Sequence, residues 1–149
     1  MESKDKETIN SAIYTIEHGD YEESESMINR MAIYGIEEAI PYILKDKNNP
    51  SVSARMKMEN LYFIKGPKGY DAIISGLDSQ YYDVRIEMTK ILGLRNEKKA
   101  IENLIRMLED PYLNIQVQAM RSLKMITGIN YGLDKTSWKH WWAKRKYVK

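Results

Sequence analysis

Along Ile101 to Gly128, IENLIRMLEDPYLNIQVQAMRSLKMITG, apolar side chains recur at helical spacing, stop at Asp110-Pro111, and resume. This pattern predicts two short antiparallel helices joined by a tight turn. In the second helix Ile115, Ala119, Ser122 and Leu123 fall at offsets that share one face. Stepping back 31 residues gives Val84, Met88, Ile91 and Leu92 at the same offsets. A further 30 gives Ala54, Met58, Leu61 and Tyr62, and another 30 gives Ser24, Ile28, Met31 and Ala32. The first helices keep the same register: Ile13, Ile43, Ile73 and Leu104 align, as do Tyr14, Leu44, Ile74 and Ile105. Asp46, Asp78 and Asp110, each 32 residues apart, suggest a rival register. That register puts the apolar faces out of phase, and burying the wrong face costs several kcal/mol per unit, so the acid spacing reads as coincidence.

The punctuation fits this register. Turns inside the pairs are expected at His18-Gly19-Asp20, Asn48-Asn49-Pro50, Asp78-Ser79-Gln80 and Asp110-Pro111. Links between pairs are expected at Gly35, Gly66-Pro67-Lys68-Gly69 and Arg95-Asn96, because Gly and Asn end helices in the left-handed region and Pro cannot continue one. The expected helices run over 6–18, 21–34, 36–46, 51–64, 68–79, 82–94, 97–109 and 113–127. They make repeats over about 5–35, 36–65, 66–96 and 97–127, followed by a cap over 128–149. A 30-residue period of helix pairs predicts an all-α solenoid in a single domain spanning 1–149, because one pair cannot bury its stripe alone.

The unit AIPYILKDKNNPSVSARMKMENLY over 39–62, together with VRIEMTKILG over 84–93, resembles HEAT repeats of the short bacterial type, found also in bilin lyase-like proteins. The resemblance covers about 36–128 well and 5–35 weakly, and implies a right-handed α-solenoid of about four HEAT-like hairpins. Arg55 and Arg85 match the arginine that follows the first apolar residue of the family's second helix. Glu25 and Gln116 stand in its place in the first and last units, so a ladder built on that arginine is incomplete here. The resemblance is specific for fold and carries almost nothing for function, since HEAT stacks serve many unrelated roles.

The segment from Thr127 to Trp142 resembles the TG-x-x-[FY]-G…W-x-x-W-W ending that closes many bacterial HEAT stacks. Asp134 or Thr136 is suited to cap a short helix. Trp138, Trp141 and Trp142 share one face of it and are expected to cover the open apolar end of the last unit. The tail from Lys144 to Lys149 is expected to be solvated and frayed.

Charge sharpens this picture more than bulk composition does. The net charge is only +2, yet residues 1–46 hold 11 acids and 4 bases, while residues 135–149 hold 6 bases and no acid. An acidic head and a basic tail suit steering or head-to-tail pairing. The absence of cysteine excludes a disulfide framework, a thiolate metal site and a cysteine nucleophile. No apolar run approaches the ~20 residues of a membrane span. The start MESKDKETIN lacks the apolar core of a secretory signal, so a cytoplasmic location is expected.

Candidate chemistry is sparse. His18 and His140 are far apart in the chain, no HExxH is present, and Gly66-Pro67-Lys68-Gly69 lacks phosphate-loop spacing, so no metal, cofactor or enzymatic role is expected. Tyr62, Phe63 and Glu59 are the only group comparable to the site of a HEAT-like DNA glycosylase, and Tyr62 already belongs to the apolar stripe. Tyr81, Tyr82 and Tyr112 cluster at hairpin turns, where loop packing is expected.

In HEAT stacks the second helices line the concave, binding face. Opposite the stripe, offset +6 reads Arg30, Asn60, Lys90 and Arg121. Offset +2 reads Ser26, Met56, Ile86 and Val117, and offset +9 reads Ile33, Phe63, Gly93 and Lys124. The bland reading makes +2 part of the core and +6 a solvated face. The functional reading makes Arg30, Asn60, Phe63, Lys90, Arg121 and Lys124 a concave site for a protein partner or an acidic, partly apolar peptide. A nucleic acid held by the basic row and tail is the alternative.

Overall fold

The computed structural model describes residues 5–45 and 52–147. The expected turn at Asn48-Asn49-Pro50, the acid Asp46, the side chain of Ala54 and the last two residues of the tail lie outside the described residues. The chain is all-helical, with no strand among the described residues. It divides into two compact units, 1–72 and 73–149.

The first unit begins with α1, Lys6–His18, and α2, Tyr21–Ile33. Asp20 and Glu23 form a reciprocal capping box: Asp20 Oδ1 accepts from the Glu23 amide at 2.9 Å, and Glu23 Oε2 accepts from the Asp20 amide at 3.2 Å. α2 ends at Gly35, φ 68°, where Ile36 N donates to Met31 O at 2.9 Å, a Schellman ending. The next helix, expected over 36–46, starts instead as a 3-10 turn, Glu37–Ala39, and becomes α3, Ile40–Leu44, with Pro41 in its first turn, where the missing amide costs nothing. α4, Val52–Met58, likewise tightens into a 3-10 turn over Glu59–Tyr62. Ile28, Met31, Ala32, Ile43, Met58, Leu61 and Ile64 are buried, and Tyr62 is half-buried.

α1 departs from its repeat. Tyr14 aligns with Leu44, Ile74 and Ile105 but is 64% exposed, stacking on His18 with ring centroids 4.2 Å apart. Ile13 is only half-buried, while Ile43, Ile73 and Leu104 are fully buried. No residue of α1 is buried. Its apolar face has α2 to lie on and lacks a preceding helix pair among the described residues.

The division between the units falls inside α5, Pro67–Gly76. The second unit continues with α6, Tyr82–Leu94; a 3-10 turn, Lys98–Ala100; α7, Ile101–Met107; α8, Leu113–Thr127; and α9, Lys135–Arg145. α6 ends at Asn96, φ 55°, with Glu97 N donating to Leu92 O at 3.1 Å, the same ending that Gly35 makes. All eight expected stripe residues of α6 and α8 are buried.

α6 and α8 come into close contact at Gly93. A Cβ there would lie 2.8 Å from the Ser122 Cα and 2.7 Å from its Cβ. Gly93, expected at offset +9 on the open face, is thus a packing residue, because the two small residues let the helices touch. Ser122 is fully buried and keeps its hydroxyl satisfied, donating to Thr89 O at 2.8 Å.

The acid at the last hairpin turn also has a task that its spacing did not earn on apolar grounds. Arg85 Nε donates to Asp110 Oδ2 at 2.8 Å and Nη1 to Ser79 O at 2.8 Å. Asp110 Oδ1 accepts from the Tyr112 amide at 3.0 Å. The apolar register stands, but Asp110 is not idle: it joins the turn before α8 to α6. Asp78 meets a different arginine, accepting from exposed Arg106 at 2.9 Å.

Two outcomes follow from this packing. Gly93→Ala should lower stability by about 1–3 kcal/mol through overpacking, opposite in sign to the usual gain in a helix interior; the urea midpoint measures it. Asp110→Ala should cost about 1–3 kcal/mol, because it leaves the partly buried Arg85 guanidinium without its carboxylate. A thermal or urea melt with Asp110→Ala matching wild type would contradict this role.

Candidate functional site

The residues expected to bind a partner fall in both units. In the first, Arg30 is exposed on α2 and lines an open groove of about 460 Å³ with Tyr14, His18, Ser26 and Met27. Asn60 Nδ2 donates to Asn29 Oδ1, so its hydrogen bond goes to the neighbour of Arg30. Phe63 is 41% exposed and meets the Tyr62 ring edge-on, at 5.2 Å between centroids. Lys65 Nζ sits 3.8 Å above the other member of that pair, the Tyr62 ring. Ile33 and Met56 add exposed apolar surface at offsets +9 and +2.

In the second unit Arg121 and Lys124 are exposed on α8, a helix with no acid from 113 to 127. Lys90 on α6 is half-exposed and pairs with Glu87 at 3.4 Å. Ile86 and Val117 are half-buried, so at offset +2 the apolar arc is wider here than in the first unit, where Ser26 and Met56 are exposed. Leu94 and Met125, one position beyond offset +9, are exposed. The sequence reading missed this apolar pair, although extending the same register by one residue reaches both.

The cap is well defined. Asp134 Oδ1 accepts from the Ser137 amide at 3.1 Å and Oδ2 from the Ser137 hydroxyl at 2.8 Å, so Asp134, rather than Thr136, caps α9. These two bonds hold the Asp134 carboxyl below its usual range. Trp138 is fully buried; its indole N–H donates to Gly132 O at 3.0 Å, and its ring meets Tyr131 and Trp141 edge-on. Trp141 and Trp142 are half-buried.

α9 lies against α7 and is fastened at both ends. Lys139 and Lys135 reach Glu109 at 2.7 and 3.5 Å, and Lys146 reaches Glu102 at 3.6 Å. The pairing order makes the two helices antiparallel. It also corrects the expectation of a frayed tail as far as Lys146, because α9 continues to Arg145.

Other sequence candidates resolve simply. Tyr82 and Tyr112 stack at 5.2 Å with Arg85 over the Tyr112 ring, so the tyrosine cluster forms between the turns, while Tyr81 stands as the residue before α6. His18 and His140 are both exposed, one in each unit. Among the described residues no group of three or more His, Cys, Asp or Glu is placed to hold a metal, and no helix is long and apolar enough to cross a membrane.

The clamp on α9 titrates in a defined direction. The hydrogen bond from Lys139, its charge, and the same contributions from Lys135 hold the Glu109 carboxyl below its usual range. A lowered folded value means the pair's contribution is complete above the ordinary glutamate pKa of about 4.3 and fades as pH falls through the folded value. Glu109→Gln should therefore lower the melting temperature slightly at neutral pH, and the difference from wild type should shrink as pH falls below about 4.3. Tryptophan fluorescence reports it directly, since all three tryptophans lie in α9.

Neither a protein-family model nor a curated protein sequence matches this chain, so its own geometry carries the functional reading.

Proposed function

We propose that the chain is a right-handed α-solenoid of four HEAT-like hairpins closed by the tryptophan cap, and that it works as a non-catalytic scaffold. Its partner is an acidic, partly apolar peptide or helix held on the concave face that the second helices line. The repeated register supports the architecture, as do the matching helix endings at Gly35 and Asn96. The observation that carries the function is the solvent-facing side of α8 and α6: Arg121 and Lys124 are exposed on a helix without acids, and Leu94 of α6 and Met125 of α8 are exposed too. An anionic amphipathic helix matches both features, with carboxylates to the cations and apolar side chains to the methionine and leucine. Arg30, Asn60 and Phe63 would extend the same kind of contact. The absence of cysteine fits a reducing cytoplasm.

The nucleic-acid alternative rests on the six bases of 135–149. It is weakened because Lys135, Lys139 and Lys146 are already paired with Glu109 and Glu102. Capture from lysate, with and without nuclease, separates the two. A protein partner should be captured in both cases and lost at least tenfold, about 1.4 kcal/mol, with Lys90→Glu/Arg121→Glu while the circular dichroism spectrum is unchanged. Capture that disappears with nuclease and falls steeply with salt favours nucleic acid. Undiminished capture by the double variant overturns the site.

A further inference from the structure

We propose that the groove between α7 and α9 binds a small, flat, uncharged molecule that carries a carbonyl acceptor. The groove measures about 660 Å³, a size suited to small molecules, and all its lining residues belong to the second unit. On α7 it is lined by buried Ile105 and half-buried Asn103, and on α9 by half-buried Trp142 and exposed Ala143.

The charges around the groove exclude an ionic ligand. Lys139 is paired with Glu109 at 2.7 Å, Lys146 with Glu102 at 3.6 Å and Arg106 with Asp78 at 2.9 Å. An anion or a cation would have to break one of these pairs and would leave its other member without a partner. A neutral molecule leaves every pair intact and is held by the apolar side chains.

One lining group is left wanting an acceptor. The indole N–H of Trp142 is buried and has no hydrogen-bond partner among the described residues. Trp138, on the same helix, donates its own N–H to Gly132 O at 3.0 Å. A buried donor without an acceptor is costly, and a ligand carbonyl removes that cost. The Asn103 amide adds a second donor from α7, and the indole ring favours a flat body. None of these residues belongs to the surface on α6 and α8 that faces the protein partner, so the two sites fail independently.

Coumarin, a neutral planar lactone, is the probe. It is titrated into the isotope-labelled full chain while the indole N–H signals of the three tryptophans, all in α9, are followed by NMR. The Trp142 signal, identified by its loss in Trp142→Phe, should move downfield and saturate, and the Trp138 signal should keep its place. Naphthalene, of the same size without an acceptor, should bind at least tenfold more weakly, as should a carboxylated coumarin. Ala143→Phe, which fills the groove from an exposed position, should weaken coumarin at least tenfold while circular dichroism is unchanged. No saturable shift up to the solubility limit of coumarin overturns the site. So does undiminished binding by Ala143→Phe, or parallel movement of all three indole signals. Naphthalene binding as tightly as coumarin overturns the role of the Trp142 N–H, and a carboxylated coumarin binding as tightly overturns the neutral class.

Discussion

Burial of the apolar stripe along the helices is the constraint that shapes the rest: at one repeated position Ile43, Ile73 and Leu104 are fully buried and Ile13 is half-buried. Burying a side chain of this size stabilises by about 1.5–3 kcal/mol, so neighbours are the main source of cohesion. The price of close neighbours is that their surfaces must be small where they touch. Gly93 against Ser122 meets that demand, and the Ser122 hydroxyl, bonded to Thr89 O, avoids an unsatisfied polar group at the contact. Within the second unit α7 has α9 as a neighbour, and the Trp138 of α9 is as buried as any core leucine.

Polar links follow the same geometry with changing chemistry. The position after the first stripe residue carries Glu25, Arg85 and Gln116 in the first, third and fourth pairs. Glu25 meets Lys57 on α4 at 2.7 Å, with Lys57 only 7% exposed. Arg85 meets Asp110, and Gln116 donates to the Asp110 carbonyl at 2.7 Å. A ladder that looks broken when only arginine is counted is a set of different bonds at one repeated place. Such buried pairs contribute little net stability against desolvation, but removing one partner is costly, so they fix which surfaces meet.

How much of this was legible follows from the physics of each signal. α2, α6 and α8 emerge from the sequence almost residue for residue, because a buried stripe must repeat at helical period and long-range packing reinforces it. The 3-10 turns at Glu37–Ala39, Glu59–Tyr62 and Lys98–Ala100 were not legible, because they differ from α-helix by a local tightening that leaves composition unchanged. Gly93 was misplaced because periodicity gives a face and not a distance. Asp110 was undervalued because its partner, Arg85, lies 25 residues away and no periodic rule couples them. Tyr14 kept its register and lost its burial, since register says nothing about whether a neighbour exists. For the binding surface, the sequence placed Arg121 and Lys124 outward correctly, yet which of the outward residues meet a partner depends on chemistry supplied by another molecule.

α8 shows why such a chain suits recognition. Ile115, Ala119, Ser122 and Leu123 hold the helix in place, while Asn114, Arg121, Lys124 and Met125 face outward. The two sets alternate along one helix but share no structural duty, so outward substitutions leave the packing intact. A surface free in this way can change its charge and apolar content while the stack persists. The same separation means that the fold alone does not name a partner.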